Sequence, residues 1–188
     1  MREQQTDFEL LKATADKDTG AFRAFMGRYQ ERVYGLVCRF TGDAETARDL
    51  VQDIFLKVYR AAGSYTPDAG VFTWLYRITA NHCINFVQSR KRDPLYAAEE
   101  ETAATPAAVS RAANQETSLE QQERARMVRR ALDSLPPRQK MAITLLRFEG
   151  LSYKEISRIL ECSISAVESL IFRGMETLKQ LLAADMEA

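Results

Sequence analysis

The chain of 188 residues has few of the side chains that most often do chemistry or bind metals. It contains one histidine, three cysteines and one tryptophan. The cysteines are odd in number and widely spaced, which indicates reduced thiols in a cytoplasm rather than a disulfide framework. His82 and Cys83 are adjacent but have no second pair of ligands, so we expect no zinc site and no other cofactor. The single histidine has no evident acid or nucleophile partner, which argues against an enzyme.

Long apolar runs and an excess of one charge are missing too. No stretch approaches the roughly 20 apolar residues that a membrane-spanning helix needs, so we expect no membrane insertion. The beginning, MREQQTDFELL, carries charges of both signs and no apolar core, and we expect no export signal and a cytoplasmic location. The 26 basic residues balance the 26 acidic ones, so any binding to DNA must come from local patches or with help from a partner.

That balance hides an acidic segment in the middle of the chain. Residues 1–92 carry fourteen Lys/Arg against eleven Asp/Glu, and residues 120–188 carry eleven against ten, whereas residues 93–119 carry one against five. Large apolar residues are almost missing from this middle segment, so it cannot form a core of its own. We predict two domains, 1–92 and 119–188, joined by a flexible acidic linker over residues 93–118.

Apolar residues recur at helical spacing on both sides of the linker and no strand pattern is evident, so the predicted fold class is all-α. The helices predicted in the first domain are residues 7–19, Gly20 to Gly42, Asp43 to Gly63, and 71–92.

The second domain is predicted to consist of two helices followed by a helix-turn-helix. Leu135-Pro136-Pro137 stops the first helix and Gly150 ends the second. Ser152 and Glu155 then have the spacing of a capping box, and residues 161–164 form the turn before the last helix.

The stretch from Val71 to Arg92 is distinctive because it contains no acidic residue. Arg77, Asn81 and Asn85 are spaced four apart and share one face of a helix that also carries aromatic rings. Cations bind phosphates, rings stack on bases and amides pair with base edges, so this combination suits single-stranded nucleic acid. The stretch is equally consistent with an ordinary amphipathic helix that has a solvated basic end.

Two segments before this helix each allow a structural and a functional interpretation. The loop from Gly63 to Gly70 is a break in the helices, and a loop in this place can also form a pocket for an extruded base. Asp49 and Asp53 lie four apart on one helix face, which is either solvated or a docking face for a basic partner.

The predicted helix-turn-helix indicates DNA binding, although a helical hairpin that binds nothing has the same pattern. Its second helix would enter the major groove with its N-terminal residues near base edges. Arg173 can pair with phosphate or guanine, and Glu168 can accept from a cytosine amino group. The residues at that end are Ser163, Ser165, Ala166, Glu168, Ser169, Phe172 and Arg173.

Four segments in this order resemble the bacterial RNA polymerase sigma factors of the extracytoplasmic-function type, over nearly the whole chain. They are AFRAFMGRYQERVYGLV, DLVQDIFLKVYRA, FTWLYRITANHCINFVQSRKR and LDSLPPRQKMAITLLRFEGLSYKEISRIL, the last followed by the recognition helix. The resemblance implies a protein without catalytic residues that binds promoter DNA and the clamp helices and flap of core RNA polymerase. It also implies control by an anti-sigma factor, and a linker that lies in the RNA exit path.

The resemblance implies a role for each matched position. The residues that would bind core polymerase are Asp49, Gln52, Asp53 and Phe55. Those in the loop that would capture a flipped base of the −10 element are Tyr65, Thr66 and Asp68. Those in the next helix that would engage the melted strand are Trp74, Arg77, Asn81 and Asn85. The −35 element would be bound between Ser163 and Arg173.

Three positions depart from the family pattern. Family members often have a basic residue in place of Glu168 and of Leu170, and a glycine or another small turn former in place of Glu161. We expect the fold to tolerate these differences and the −35 sequence and affinity to differ.

Two other functions fit parts of the sequence. A free-standing transcriptional regulator with a helix-turn-helix would need a dimer interface and a palindromic site, and it would have no use for a single-strand surface. A helical interaction protein would show no DNA binding even with polymerase present.

We predict that Asn81→Ala impairs promoter opening, because it removes an amide that contacts a splayed base, worth roughly 1–3 kcal/mol. Permanganate reactivity of the −10 region in a complex with core polymerase measures the opening. If the variant opens promoters as well as the unchanged chain does, this helix does not engage the melted strand.

Overall fold

The computed structural model describes residues 5–67, 69–92 and 119–187. The predicted linker at 93–118 lies outside the described residues, as does Asp68. The described ranges contain helices and no strand, which confirms the predicted all-α class. The helices are α1 (Asp7–Ala15), α2 (Thr19–Thr41), α3 (Ala44–Ala61), α4 (Val71–Arg92), α5 (Leu119–Asp133), α6 (Pro137–Arg147), α7 (Tyr153–Ile159) and α8 (Ile164–Glu187), with a 3-10 turn at Ala62–Ser64.

The first helix ends four residues earlier than the sequence predicts. It begins with a capping box, in which the N–H of Glu9 bonds to the Thr6 hydroxyl at 3.2 Å and the Glu9 carboxylate accepts the N–H of Thr6 at 2.7 Å. Lys17 has a φ of 68°, a left-handed conformation that cannot continue a right-handed helix. The predicted helix at 7–19 is therefore wrong at its C-terminal end, because no glycine or proline marks this break in the sequence.

Both boundaries of α2 and the start of α3 confirm the predicted signals, whereas α3 ends at Ala61, two residues before the predicted Gly63, and continues as the 3-10 turn. The Asp18 carboxylate accepts the N–H of Gly20 at 2.9 Å and begins α2. Gly42 ends α2 with a φ of 80° and donates its N–H to the last turn at 2.8 Å. Asp43 accepts the N–H of Thr46 at 2.7 Å and begins α3. Each cap satisfies backbone groups that the helix itself leaves unpaired.

The helix boundaries in the second half of the described chain also depend on local cap and turn residues. Pro137 is the first residue of α6, where its missing N–H costs no hydrogen bond. Gly150 has a φ of 67° in the connection to α7, and Ser152 and Glu155 form the predicted capping box. The turn between α7 and α8 contains Glu161 at a φ of 51°.

The helices form two groups that share one core. We call α1–α4 the N-terminal helical group and α5–α8 the C-terminal helical group. Helix α4 packs on α2 and α3 and also on α6 and α7, and α2 contacts α6. Fully burying each large apolar side chain contributes roughly 1.5–3 kcal/mol. Large buried residues of this joint core include Phe25, Leu36, Phe40, Phe55, Leu75, Tyr76, Met141 and Leu145.

A buried carboxylate lies where the two groups meet. Glu149 follows α6, and its side chain is 3% exposed. It accepts hydrogen bonds from Arg39 Nη2 at 2.6 Å, Tyr76 Oη at 2.8 Å and Arg32 Nε at 3.3 Å, all from the N-terminal helical group. Burial and the hydrogen bond to Glu149 raise the pKa of the Tyr76 hydroxyl. We call these four residues the Glu149 network.

The cysteines are free thiols, as the sequence predicts. Cys83 is fully buried, and burial raises the pKa of its thiol to about 12. Within residues 5–67, 69–92 and 119–187, no helix is long and apolar enough to span a bilayer, and no three His, Cys, Asp or Glu side chains are grouped as metal ligands.

We predict that Gly42→Ala lowers the free energy of unfolding by about 1–2 kcal/mol, because a Cβ disfavours a φ of 80°. That Cβ would also lie 2.5 Å from Arg129 Nη1 of α5. Urea denaturation measures the change.

Gly27→Ala is the matched control, since Gly27 is exposed within α2 and a Cβ there meets nothing within 4 Å. Its better helix propensity should stabilise the protein by up to about 1 kcal/mol. Effects of the same sign at both glycines would contradict the account.

Candidate nucleic-acid interface

The predicted −10 loop and the start of α4 are in contact. The rings of Tyr65 and Trp74 lie edge to face, with centroids 5.4 Å apart and planes at 69°. The Tyr65 hydroxyl donates to the carbonyl of Ala69 at 2.8 Å, which fixes the ring across the loop. Phe8 of α1 adds a third ring, 6.1 Å from that of Tyr65. The aromatic surface that suits base stacking is therefore built by three segments rather than by α4 alone.

The polar residues predicted on α4 differ in their surroundings. Arg77, the first of them, contacts the C-terminal helical group, and Asn85, the last, is exposed to solvent. Arg77 is partly buried, and its Nη1 lies 3.3 Å from Oε1 of Glu161 in the turn between α7 and α8. Asn81 is partly buried and Asn85 is exposed, as is Thr66 in the preceding loop. This ion pair between Arg77 and Glu161 connects α4 to the C-terminal helical group.

Three of the four residues predicted to bind polymerase form an exposed surface on α3. Asp49, Gln52 and Asp53 are exposed. Phe55 differs, because it is 2% exposed and packs on Phe22 with ring centroids 6.5 Å apart. The helical period directs Phe55 into the core, so it does not offer a direct contact to a partner in this conformation.

The only histidine connects α4 to this surface. His82 Nδ1 lies 2.7 Å from Lys57 Nζ, and an ammonium can only donate, so Nδ1 accepts and the neutral ring carries its proton on Nε2. Nε2 lies 3.8 Å from Asp53 Oδ2, too far for a hydrogen bond. Burial and the Lys57 charge lower the pKa of His82, against an opposite effect of Asp53. His82 is therefore neutral near pH 7.

Helices α7 and α8 form the predicted helix-turn-helix. The Ser163 hydroxyl accepts the N–H of Ala166 at 3.1 Å and caps the start of α8. The buried residues that place the two helices against the core are Ile156, Ile159, Val167 and Ile171.

A concave surface lies at the N-terminal end of α8. Arg138 of α6 reaches this surface and donates to the carbonyl of Leu160 at 2.8 Å. Two of the predicted residues, Glu168 and Phe172, are exposed outside the concave surface. Two guanidinium groups and three serine hydroxyls suit a phosphate backbone. The lining residues are Arg138, Cys162, Ser163, Ser165, Ala166, Ser169, Leu170 and Arg173.

Arg138 and the Glu149 network are missing from the residues that the sequence predicts. Arg138 follows two prolines in the motif LPPRQ, and that motif is its only sequence signal. Glu149 is 73 to 117 residues from its three donors, so no periodicity connects them.

Comparison with known proteins covers both helical groups. Residues 25–93 match the family model of Sigma-70 region 2, and residues 125–178 match that of Sigma-70, region 4. The ECF RNA polymerase sigma-E factor of Escherichia coli (strain K12) is 37% identical over 182 residues, which are 95% of this chain and 95% of that protein. The chain belongs to the sigma-70 family, among its extracytoplasmic-function sigma factors.

This sigma factor is also similar to the RNA polymerase sigma-H factor of Pseudomonas aeruginosa. The two are 33% identical over 189 residues, covering 97% of this chain and 96% of that one. Among solved structures, CnrH in complex with the cytosolic domain of CnrY has a TM-score of 0.64 at 25% identity, over 96% of this chain and 99% of that chain. The Bartonella quintana sigma factor RpoE, solved with the anti-sigma factor NepR, shares the fold with a TM-score of 0.62 at 24% identity, over 87% and 98%.

As an alternative sigma factor, the protein works with core RNA polymerase on promoter DNA to initiate transcription. The match of residues 25–93 to region 2 does not support a free-standing regulator, which would need only the helix-turn-helix for DNA.

We predict that the sigma factor loses stability as the pH falls through 6.5, and that His82→Gln removes much of this loss. The pKa of His82 is lower in the folded chain than its ordinary 6.5, so the unfolded chain binds the proton first. The contribution of neutral His82 to the free energy of unfolding is therefore fully present above pH 6.5 and decreases below it.

Urea midpoints at about pH 7.5 and pH 5.5 measure this dependence. Glutamine can still accept from Lys57 but does not titrate. Helix-cap hydrogen bonds lower the pKa values of Glu9, Asp43 and Glu155, so these carboxylates protonate at lower pH. An unchanged pH dependence in the variant would show that His82 is not the cause.

Proposed function

We propose that the sigma factor docks on the clamp helices of core polymerase through the exposed face of α3. Asp49, Gln52 and Asp53 supply two carboxylates and an amide for a basic partner surface. Phe55 contributes indirectly to this docking, because its buried ring anchors α3 to the core. His82 lies beside Asp53 at the edge of this face.

The loop before α4 and the start of α4 bind the opened −10 strand. The grouping of Tyr65, Trp74 and Arg77 carries this assignment, because it places two rings and a cation at one end of an acid-free helix. Stacked bases gain roughly 1–3 kcal/mol each on such rings. The residues proposed for this contact are Tyr65, Thr66, Asp68, Trp74, Arg77, Asn81 and Asn85.

The N-terminal end of α8 binds duplex −35 DNA. Arg173 and Arg138 approach the phosphates from two helices, and the serine hydroxyls add hydrogen bonds. Phe172, which is 68% exposed, can contact a thymine methyl group. The proposed −35 residues are Arg138, Ser163, Ser165, Ala166, Glu168, Ser169, Phe172 and Arg173.

The proposed domains are residues 1–92 for polymerase and −10 contacts and 119–188 for −35 contacts, with 93–118 as the linker. The family matches at 25–93 and 125–178 support this division. We assign the protein no catalytic residue, and we place it in the cytoplasm, where its polymerase acts.

An anti-sigma factor that binds both helical groups is part of the proposal. The support is the likeness to CnrH, which was solved in complex with the cytosolic domain of CnrY and matches 96% of this chain.

A promoter library incubated with the sigma factor, with and without core polymerase, tests the function. We expect sequence-specific binding and transcription only with core enzyme. Arg173→Ala should weaken −35-dependent binding, and it should lower the salt slope by about one if the guanidinium contacts phosphate.

Lys179→Ala is the matched control, since Lys179 is an exposed cation further along α8. Tight binding of a palindromic site by the chain alone would refute the proposal and favour a dimeric regulator.

A further inference from the structure

Lys57, His82 and Asp53 form a cluster where α3 and α4 meet, at the edge of the proposed docking face. Asp53 and Lys57 are four residues apart and share one face of α3. Each faces one ring nitrogen of His82, with Nδ1 2.7 Å from Lys57 Nζ and Nε2 3.8 Å from Asp53 Oδ2. A titratable ring of α4 therefore lies beside a carboxylate that is proposed to bind polymerase.

The Nε2 atom of His82 is buried and has no hydrogen-bond partner among the described residues. It carries the proton of the neutral ring, and a buried N–H without an acceptor costs roughly 1–3 kcal/mol. The Asp53 side chain is 61% exposed, so a change of its rotamer meets little resistance. A shift of Oδ2 by about 1 Å would bring it within hydrogen-bond distance of Nε2. The Asp53 carboxylate thus has two alternative positions, one in solvent and one on His82.

Protonation of His82 changes the balance between these two positions. The imidazolium donates from both nitrogens, so Nδ1 can no longer accept from Lys57, and the two cations repel each other. Nε2–H becomes a charged donor, and it binds the Asp53 carboxylate more strongly than the neutral ring does. Asp53 is then drawn toward α4, and the Lys57 ammonium is displaced toward solvent.

The charged groups that face His82 both come from α3. Burial lowers the pKa of His82 most, the Lys57 charge lowers it further, and Asp53 raises it. Helices α2, α6 and α7 also pack on α4, and none of their described charges shifts the pKa of His82. The protonation of His82 is therefore coupled to Asp53 and Lys57.

We propose that His82 is a positioning residue for Asp53 and that its protonation weakens the docking of this sigma factor on core polymerase. The neutral ring leaves the Asp53 carboxylate in solvent, where a basic partner surface can bind it. The protonated ring binds the carboxylate itself, and the displaced Lys57 ammonium repels the same partner. The effect on docking rests on the role proposed above for α3, whereas the coupling of His82 to Asp53 is tested on the free chain.

A proton NMR titration of the free, untagged chain tests the coupling. His82 is the only histidine, so its ring signals are assigned without ambiguity. We expect Asp53→Asn to move the titration of His82 to lower pH, because the carboxylate that stabilises the imidazolium is lost. Lys57→Gln should move the titration to higher pH, because a neighbouring cation is lost.

Asp49→Asn is the matched control, since Asp49 is an exposed carboxylate one turn before Asp53 on the same helix. Circular dichroism of each variant shows that its helices remain folded over the titrated range. If His82 titrates identically in Asp53→Asn and Asp49→Asn, its coupling to Asp53 is refuted.

The affinity of the fluorescently labelled sigma factor for core polymerase, measured at about pH 7.5 and pH 5.5, tests the effect on docking. We expect the ratio of the two dissociation constants to be about two- to fivefold larger for the unchanged chain than for His82→Gln. Groups of core polymerase that titrate in this range affect both chains equally. Tenfold is about the upper limit at pH 5.5, because the pKa of His82 lies below 6.5.

Equal ratios for the unchanged chain and His82→Gln would overturn the role of His82 in docking, because a purely structural role would change the affinity by the same factor at both pH values. Asp53→Asn reports separately on the proposed function, since it should weaken the binding of core polymerase at pH 7.5. Unchanged binding by this variant would contradict docking through α3, whatever the titration of His82 shows.

Discussion

The burial of the Glu149 carboxylate is the constraint on which the arrangement of the two helical groups depends. A charge removed from water costs several kcal/mol unless donors replace the water, and Arg39, Tyr76 and Arg32 supply three. Losing these donors while the carboxylate stayed buried would cost about 3–5 kcal/mol. The network therefore determines how the groups align, while the apolar surface shared by α4, α6 and α7 provides most of the attraction.

Helix α4 is part of the N-terminal helical group and also packs against the C-terminal one. Leu75 and Tyr76 are in the joint core, Arg77 meets the turn of the helix-turn-helix, and Asn85 is exposed. Helix α4 is therefore the element through which the two groups share their core.

Local signals in the sequence predict most helix boundaries. Gly42 and the Ser152–Glu155 capping box lie where their chemistry requires, because a cap depends on residues only a few positions apart. The largest difference is at the end of α1, where Lys17 adopts a left-handed conformation without the glycine that usually marks one. Phe55 differs from its prediction for another reason. The family motif suggests that it contacts polymerase, whereas the helical period places its side chain in the core.

The sequence by itself determined the helices, their caps, the acid-free character of α4 and the family, because each depends on short-range order along the chain. Only the tertiary structure decided that Arg77 faces Glu161, that Arg138 joins the surface at α8 and that Glu149 is buried among three donors. The physical reason is distance along the chain. The donors of Glu149 are 73 to 117 residues away, and such contacts arise from packing and leave no periodic pattern in the sequence.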